Sequence, residues 1–332
     1  MESKVTTLTE VKQIMTGVLE KLDAAGGVKN VYCVACGGSH GSMYPMEYFI
    51  NNEAKALSVF SVTANEFVHK LPKNLGENSL VFAMSLGGGT KETLAAATAA
   101  KEKGAIVVAL SGSADSALAR LADFSVVYRI DIGTPVNEQN QYMALALATE
   151  LLNQTEGYDY YEQMIDGLNK ICLVCDKAVQ KIHPAALKFG EEHKDVPVLY
   201  TMASGASYGV AYMQSICLFM EMEWIHSSAI HTAEYFHGPF EVTEPGVPFL
   251  IFVSDGPTRA LDERALDFLR KHSDQVTVLD AKELGVSIID DAVVEYFNPL
   301  VHWAAGIEYA EGLALAKKHP LLQRRYMGKL VY

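Results

Sequence analysis

The sequence predicts an α/β protein made of two tandem three-layer α/β/α units, each with a parallel sheet between helices. Three observations support this prediction. Short apolar runs alternate with stretches of helical periodicity, which is the pattern of parallel sheets covered by helices. Two apolar runs lead through glycine-rich loops directly into helices. A strand-and-loop segment near residue 31 returns near residue 198, which indicates an internal repeat.

The composition indicates a folded protein with an acidic surface. The chain has 332 residues, of which 49% are hydrophobic and 20% charged, and its formal net charge is −13. This length allows two ordinary domains. The negative charge argues against nucleic acid as a partner, because phosphate backbones require a basic surface. A small phosphorylated substrate is still compatible, since backbone N–H groups bind phosphate locally.

We expect a cytoplasmic protein that does not contact a membrane. The first residues, MESKVTTLTEVKQ, are polar and lack the apolar core of a signal peptide. No apolar run approaches the length of about 18 residues that a membrane span needs.

The cysteines include two pairs with C-x-x-C spacing, Cys33 with Cys36 and Cys172 with Cys175. This spacing occurs in zinc and redox sites, so such a site is one interpretation. However, the first pair lies on and just after an apolar strand, and the second lies in an apolar helical stretch. Buried reduced thiols are the simpler interpretation, and we expect neither a metal nor another cofactor.

The elements of the first half follow from periodicity and turn residues. A helix over residues 8 to 24 is predicted by its apolar spacing and ends at Gly26 and Gly27. Apolar runs predict strands at 31–35, 57–63, 79–84, 106–110 and 124–129. Further helices are predicted at 44–55, from 64 onward, and at 94–102.

Two loops in this half have the features of an anion-binding site. The strand at 31–35 leads into Cys36–Ser42, and the strand at 79–84 leads into Ser85–Thr93, which contains three consecutive glycines. Free amides and a helix N-terminus face the ligand in such loops. The second loop matches neither a Walker A motif nor a dinucleotide fingerprint. A flexible turn is the alternative interpretation of its glycines.

The second half repeats the first after helices predicted at 138–153 and 160–190. The Ala203–Ser207 loop matches Ala35–Ser39 at an offset of 168 residues (35 to 203), and further strands are predicted at 198–203, 249–253 and 276–279. We therefore predict domains at 1–155 and 156–332, the second including bridging helices over 156–195. Asp255 and Pro257 follow the strand at 249–253 and suit phosphate poorly. Phosphate binding is thus assigned to the first domain.

The segment Gln214–Glu241 contains the candidate catalytic residues. Residues 215–225 are apolar nearly all round, as in a buried helix, yet they include Glu221 and Glu223. A buried carboxylate is costly unless it is paired, hydrogen-bonded or protonated. His237 lies in a following loop, before Gly238 and Pro239. A carboxylate and a histidine suit proton transfer; a structural ion pair and an exposed histidine are the alternatives.

These features together resemble the sugar isomerase (SIS) family across essentially the whole chain. The repeated Ala-x-Gly-x-Ser loop, the Ser85–Thr90 loop and the block from Glu221 to Pro239 stand in the order of that family. Residues 220–227, 234–241 and 319–327 look more closely like the fructosamine-6-phosphate deglycases. Those enzymes split phosphorylated Amadori compounds into a hexose 6-phosphate and an amino acid.

The resemblance implies roles for individual residues. Glu221 would be the general base, His237 the acid that opens the sugar ring, and Lys329 the counterpart of a C-terminal lysine in glucosamine-6-phosphate synthase. The residues implied around the substrate phosphate are Gly38, Ser39, Ser85, Gly87 and Thr90. Three positions depart from the family pattern. Gly87 replaces a hydroxyl residue of many relatives, and Gly89 replaces an Asn or Glu. Leu218 replaces the synthase's ring-proximal lysine, which argues against the synthase's own reaction.

The implied reaction converts a ketosamine to an imine through an enaminol and then hydrolyses it, without a metal or redox cofactor. An aldose–ketose phosphate isomerase and a non-catalytic sugar-phosphate sensor are the alternatives. The resemblance also implies at least a homodimer, because the histidine of relatives often reaches the site from a neighbouring subunit. The aromatic and cationic C-terminus, His319–Tyr332, is expected to dock on a site or a subunit interface, with a surface strand as the alternative.

Overall fold

A computed structural model describes residues 4–131 and 133–331. Tyr332 and the first three residues of the polar N-terminal segment lie outside the described residues. Contacts divide the chain into two compact units, one up to Leu168 and one from Asn169 onward. The boundary lies inside a single long helix, Tyr161–His193. This helix occupies most of the region for which the sequence predicts bridging helices.

The first unit contains a five-stranded parallel sheet in the order β2-β1-β3-β4-β5. Its strands are β1 Asn30–Ala35, β2 Val59–Thr63, β3 Ser79–Met84, β4 Ile106–Ser111 and β5 Phe124–Val127. The five strands predicted for this half are confirmed. All six residues of the central strand β3 are buried, as expected for a parallel strand with helices on both faces.

Helices cover both faces of this sheet and give the predicted three layers. The helices of the unit are α1 Leu8–Asp23, α2 Gly37–Ser42, α3 Tyr44–Glu53, α4 Ala64–His69, α5 Lys91–Glu102, α6 Ala117–Leu121 and α7 Asn140–Glu156, followed by α8 Tyr161–His193. Helices α4, α5 and α6 pack on one face of the sheet. Helices α1 and α3 contact the sheet from the other face and also pack against α7.

The start of α1 shows how local sequence sets an element. Thr7 is the N-cap, and its Oγ1 accepts a hydrogen bond from the Glu10 N–H at 3.3 Å. The Glu10 carboxylate accepts the Thr7 N–H at 2.7 Å in return. This reciprocal capping box satisfies two N–H groups that a helix start otherwise leaves without partners.

The second unit contains a four-stranded parallel sheet in the order β7-β6-β8-β9. Its strands are β6 Val198–Ala203, β7 His226–His231, β8 Phe249–Val253 and β9 Val276–Asp280. The α-helices and the π-helix around them are α9 Tyr208–Met213, a π-helix Gln214–Met222, α10 Arg259–His272, α11 Ala281–Leu284 and α12 Asn298–Lys317. Each sheet therefore places its second strand at the edge beside the first, which confirms the predicted repeat.

Strand β7 corrects the interpretation of residues 226–231 as part of a turn and loop. The strand has the sequence HSSAIH, and only Ile230 in it is buried. It lies at an edge of the sheet and pairs only with β6. An edge strand with a polar sequence has neither the continuous apolar run nor the alternation that predicts a strand.

Among the described residues, no helix combines the length and the apolar character that crossing a membrane requires.

Candidate active site

The strand order in the first unit creates a crevice beside the two predicted phosphate loops. Strand β1 lies between β2 and β3, so the chain leaves β1 toward one side and later continues from β3 toward the other. In open parallel sheets, ligands bind outside the carboxyl ends of the strands at such a reversal of strand order. The loops that follow β1 and β3 both start at this point.

The loop after β1 carries Gly38 and Ser39 within the short helix α2, and both residues are half-buried. The side chain of Tyr128, which follows β5, lies beside Ser39. Tyr128 is fully buried, and this burial raises its pKa while the Ser39 hydroxyl partly offsets the rise. The sequence analysis did not single out Tyr128, whose only signal was a tyrosine at the end of an apolar strand.

The loop after β3 joins two of the predicted phosphate residues. Ser85 Oγ and Thr90 Oγ1 are 2.9 Å apart and share a hydrogen bond. Thr90 is the N-cap residue of α5, but its side chain does not cap the helix. Gly87 is exposed, and a Cβ atom at this position would have nothing within 4 Å. The loop therefore presents hydroxyl groups and an uncovered glycine backbone at the carboxyl end of the sheet.

Gly88 is required for a different reason from the one expected for a ligand-binding glycine. Its φ is +60°, and a Cβ atom there would lie 2.4 Å from both Cβ and Oγ of Ser116. Its N–H donates to Ser85 O at 3.0 Å, and its carbonyl accepts the Leu118 N–H at 3.0 Å. This glycine thus allows a left-handed conformation and close packing on α6, while Gly87 remains open.

The corresponding position in the second unit is occupied by the side chain of Asp262. Strand β6 lies between β7 and β8, so the reversal of strand order recurs between β6 and β8. The fully buried Asp262 carboxylate accepts hydrogen bonds from Ser204 Oγ at 2.6 Å, Thr232 Oγ1 at 2.7 Å and Ser254 N–H at 2.9 Å. These donors follow β6, β7 and β8 respectively. Burial raises the pKa of Asp262, and the hydrogen bonds oppose that rise.

Two glycines at the repeat offset show the same contrast between the units. Gly37 and Gly205 have φ values of +56° and +53°. A Cβ atom at Gly37 would have nothing within 4 Å, whereas one at Gly205 would lie 2.5 Å from Thr258 Oγ1. The first loop is open and the second is packed against its own unit, which favours the first unit as the phosphate site.

Glu221 lies near the end of a π-helix that continues directly from α9. The π-helix spans Gln214–Met222, and the chain then adopts a left-handed conformation at Trp224, whose φ is +59°. The helix therefore ends at Met222, three residues before the predicted end at Ile225, and it begins earlier than predicted because α9 runs directly into it. The Glu221 carboxylate accepts a hydrogen bond from Arg324 Nε at 2.7 Å, and the two side chains are 25% and 15% exposed. The structural ion pair considered as an alternative therefore forms, with a residue of the C-terminal segment.

Glu223 is the fully buried carboxylate of this segment. Its side chain is 0% exposed, and neither carboxylate oxygen has a hydrogen-bond partner among the described residues. Lys317 Nζ lies 3.7 Å from Glu223 Oε2 and donates to the Glu223 carbonyl oxygen. Burial raises the pKa of Glu223 to about 7, and the nearby positive charge of Lys317 limits the rise.

The C-terminal segment His319–Val331 docks on this corner through Trp224. The Arg325 guanidinium lies 4.0 Å from the centroid of the Trp224 ring, and the His319 ring lies 4.2 Å from it in an edge-on arrangement. Lys318, the residue before this segment, also has a left-handed φ of +53°. The part of the predicted docking segment that the structure describes therefore contacts its own unit, beside Glu221.

His237 is exposed in a short 3₁₀ turn after β7. Its side chain makes no hydrogen bond or ion pair with any other residue in the ranges 4–131 and 133–331, Glu221 included. The turn is anchored by Tyr235, which is fully buried and hydrogen-bonded through its hydroxyl to Thr243. The neighbouring Phe236 packs on Phe268 of α10.

Lys329 lies close to the candidate base without contacting it. Its Nζ donates to the carbonyl oxygen of Arg324, the residue that pairs with Glu221. The C-terminal cation that contacts Glu221 in the structure is thus Arg324 and not Lys329. The role of Lys329 stays a prediction.

The cysteines of the two C-x-x-C pairs are free thiols, and Cys33 and Cys175 are fully buried. Burial raises the pKa of both thiols. Within the part of the chain that the structure describes, no group of three or more His, Cys, Asp or Glu side chains is arranged to hold a metal ion.

Comparison with known proteins identifies the family. A family model described as the SIS domain matches residues 27–155, which lie in the first unit. The fructosamine deglycase FrlB of Bacillus subtilis (strain 168) is 42% identical over 92% of this chain and 93% of its own length.

This chain belongs to the SIS family.

Within the SIS family, the chain belongs to the deglycase group. The fructoselysine 6-phosphate deglycase of Escherichia coli (strain K12) is 26% identical over 92% of this chain and 87% of its own length. A crystal structure of a protein from Salmonella typhimurium LT2, named as a candidate phosphosugar isomerase, superimposes with a TM-score of 0.95. It is 39% identical and covers 100% of this chain and 99% of its own.

The SIS fold thus accounts for both units, although the family model matches only the first. It brings Ser85 and Thr90 into contact and places Gly38 and Ser39 in the adjacent loop. Sequence reasoning missed Arg324 as the partner of Glu221. Its signal was the pair of arginines in a C-terminal segment rich in tyrosine, but no pattern connects residue 324 with residue 221 along the chain.

Proposed function

We propose that this chain is a fructosamine-6-phosphate deglycase, which hydrolyses a phosphorylated Amadori-type sugar–amino acid adduct to hexose 6-phosphate and free amino acid. The observation that carries this proposal is the 42% identity with the Bacillus subtilis fructosamine deglycase over 92% of the chain. The E. coli relative, named for fructoselysine 6-phosphate, supports a phosphorylated substrate.

The substrate phosphate binds at the crevice between β1 and β3. Gly38, Ser39, Ser85, Gly87 and Thr90 surround it and donate hydrogen bonds from hydroxyl groups and backbone amides. The open loops and the hydroxyl pair of Ser85 and Thr90 support this assignment. Binding energy from the phosphate, remote from the reacting carbons, then orients the substrate.

Proton transfer is assigned to Glu221 and His237. His237 helps to open the cyclic ketosamine. Glu221 removes a proton from C1 to form the enaminol, and protonation of C2 then gives the C1 imine. Water adds to the imine carbon, and cleavage of the C–N bond releases the amine and the aldose phosphate. Lys329, near Arg324 in the C-terminal segment, is retained as a candidate member of this site.

The assembly and the compartment are also part of the proposal. We propose a cytoplasmic homodimer or higher oligomer in which His237 serves the Glu221 site of a neighbouring subunit. The exposed position of His237, which makes no side-chain hydrogen bond or ion pair in the described parts of its own chain, supports this assignment.

An aldose–ketose sugar-phosphate isomerase is the second candidate. It is favoured by the 39% identical Salmonella protein, which is named as a candidate phosphosugar isomerase. Such an enzyme moves a proton between C1 and C2 with the same two residues but does not hydrolyse a C–N bond.

The test is a coupled assay for hexose 6-phosphate release, read as glucose 6-phosphate from fructoselysine and fructose-asparagine 6-phosphates and as fructose 6-phosphate from glucoselysine 6-phosphate. We expect release from at least one adduct, together with free amino acid. For Glu221→Gln we expect kcat to fall about 100- to 10,000-fold, the usual contribution of a positioned general base. Glu20→Gln, an exposed substitution on α1, is the matched control and should retain activity.

Two outcomes would contradict the proposal. Conversion of fructose 6-phosphate to glucose 6-phosphate, with no release from any adduct, would establish the isomerase instead. Ligand-dependent thermal stabilisation without any turnover would indicate a sugar-phosphate sensor.

A further inference from the structure

The contact between Arg324 and Glu221 is more shielded from solvent than a typical surface ion pair. The two side chains are only 15% and 25% exposed, whereas pairs in open solvent contribute little because water and salt screen them. The guanidinium is also held from its own segment. Its Nη1 donates to the carbonyl oxygens of Leu321 and Gln323, the latter at 3.2 Å. This leaves Nε directed at Glu221.

The C-terminal segment that carries Arg324 is attached beside Glu221 by independent contacts. Arg325 and His319 both pack on the ring of Trp224, three positions after Glu221. Lys329 Nζ bonds to the carbonyl oxygen of Arg324 itself. A cation over a Trp ring contributes about 0.5–1 kcal/mol at exposed sites and more when water is excluded. These contacts fix where Arg324 lies without involving its own side chain.

A general base requires such support from its surroundings. Proton abstraction from carbon depends on the distance and direction between the carboxylate oxygen and the C–H bond, and a displacement of about 1 Å can cost about 100-fold in rate. Glu221 lies near the end of its helix, three positions before Trp224, which has a left-handed backbone conformation. Apart from Arg324, no described residue hydrogen-bonds to its carboxylate.

We propose that Arg324 is the positioning residue of the general base, and that docking of the segment His319–Val331 on Trp224 serves to deliver its guanidinium to Glu221. This inference rests on the proposed function of Glu221. It adds Arg324 to the residues already proposed for the site, Glu221, His237 and Lys329.

The kinetic test compares Arg324→Ala and Arg324→Lys with the wild type on the adduct that the enzyme hydrolyses. For Arg324→Ala we expect kcat to fall about 10- to 100-fold with KM changed less than about threefold, because the phosphate and not Arg324 holds the substrate. Arg324→Lys should recover only part of kcat, since an ammonium lacks the planar fork of the guanidinium. Added guanidinium ion, below denaturing concentrations, should partly restore kcat of Arg324→Ala.

The matched control is Gln323→Ala, which shortens an exposed side chain in the same segment and should retain wild-type kcat. Unchanged or increased kcat in Arg324→Ala would overturn the proposal and identify Arg324 as a spectator or as an inhibitory contact. A loss confined to KM would overturn it as well, because it would make Arg324 a substrate-binding residue.

A crystal structure of Arg324→Ala tests the same proposal without an activity measurement. We expect the Glu221 side chain to change rotamer or to be poorly ordered while Trp224 keeps its place. A Glu221 carboxylate in its original position would refute the positioning role. If the wild-type enzyme hydrolyses none of the adducts, the proposed function fails, and this structure still decides whether Arg324 positions Glu221.

Discussion

Glu221 and Glu223 stand two positions apart, and the chain gives them different surroundings. Glu221 is partly exposed and bonded to Arg324, while Glu223 is fully buried with Lys317 at 3.7 Å. A guanidinium at hydrogen-bonding distance compensates a carboxylate for lost water, whereas an ammonium at 3.7 Å does so incompletely. Burial accordingly raises the pKa of Glu223 to about 7.

This burial predicts a pH-dependent stability that Glu223→Gln removes. The pKa of a glutamate without structural neighbours is 4.5, and that of Glu223 in the folded protein is about 7. Between these pH values the folded protein therefore binds more protons than the unfolded protein. The contribution is fully present below pH 4.5 and is lost as the pH rises through about 7. We expect the free energy of unfolding of Glu223→Gln, relative to wild type, to increase by up to about 3 kcal/mol between pH 5 and pH 8.

Urea unfolding at both pH values measures this difference. Glu20→Gln, which removes an exposed carboxylate from α1, reports the effect of losing one surface charge. The free energies of unfolding of Glu223→Gln and the wild type could instead differ by the same amount at pH 5 and pH 8. That result would show that Glu223 does not titrate in this range.

The sequence predicts which residues need a charged partner better than it predicts the partner itself. The apolar run around residues 215–225 correctly indicated that a carboxylate there needs compensation, and the structure supplies a cation to each. It could not indicate which one, because Lys317 and Arg324 are about a hundred positions away along the chain. Such pairs follow from the packing of α12 and the C-terminal segment, which no local periodicity encodes.

The loop after β3 contains glycines with different structural roles. Gly88 has φ +60° and touches Ser116, while Gly87 is open. We expect Gly88→Ala to lower the stability of the protein by about 2–4 kcal/mol, since it combines left-handed strain with overpacking. Gly87→Ala, the matched control, should cost less than about 1 kcal/mol. Thermal unfolding of both variants provides the measurement.

Equal losses for Gly87→Ala and Gly88→Ala would contradict this division of roles. The three glycines were read from the sequence as one ligand-binding feature, because composition alone does not show which φ angles are positive. The strands, too, were predicted only where the sequence pattern is distinctive. Eight were predicted from apolar runs, whereas β7 was missed because its polar residues lie at the edge of the sheet.

At the level of the whole molecule, the two units repeat one strand order but differ in what occupies its reversal. The first offers open loops, and the second is filled by Asp262. This division was predictable in outline, because Asp255 and Pro257 already suited phosphate poorly. The occupant was not predictable, since Asp262 lies in α10 and reaches three strand ends only in the folded unit.

The proposed sharing of a site between subunits predicts the activity of mixed oligomers. Glu221→Gln and His237→Ala should each be inactive alone. When the two variants are unfolded and refolded together, half of the dimers are mixed and each mixed dimer has one intact site. We therefore expect about a quarter of wild-type activity, as follows from two-fold symmetry. The coupled assay on the refolded mixture measures it, with mass spectrometry to verify that mixed dimers form.

An inactive mixture that contains mixed dimers would show that Glu221 and His237 act within one chain. Full activity of each single variant on its own would show that neither residue is needed for the reaction.

The Asp262 carboxylate acts on the second unit as a tethered ligand. A ligand attached to the same chain is present at a high effective concentration that dilution does not reduce. The ends of β6, β7 and β8 are therefore held together whether sugar phosphate is abundant or absent. The reversal of strand order in the unit that carries Glu221 is therefore filled by a side chain at any substrate concentration, whereas its counterpart in the first unit is left open to a ligand.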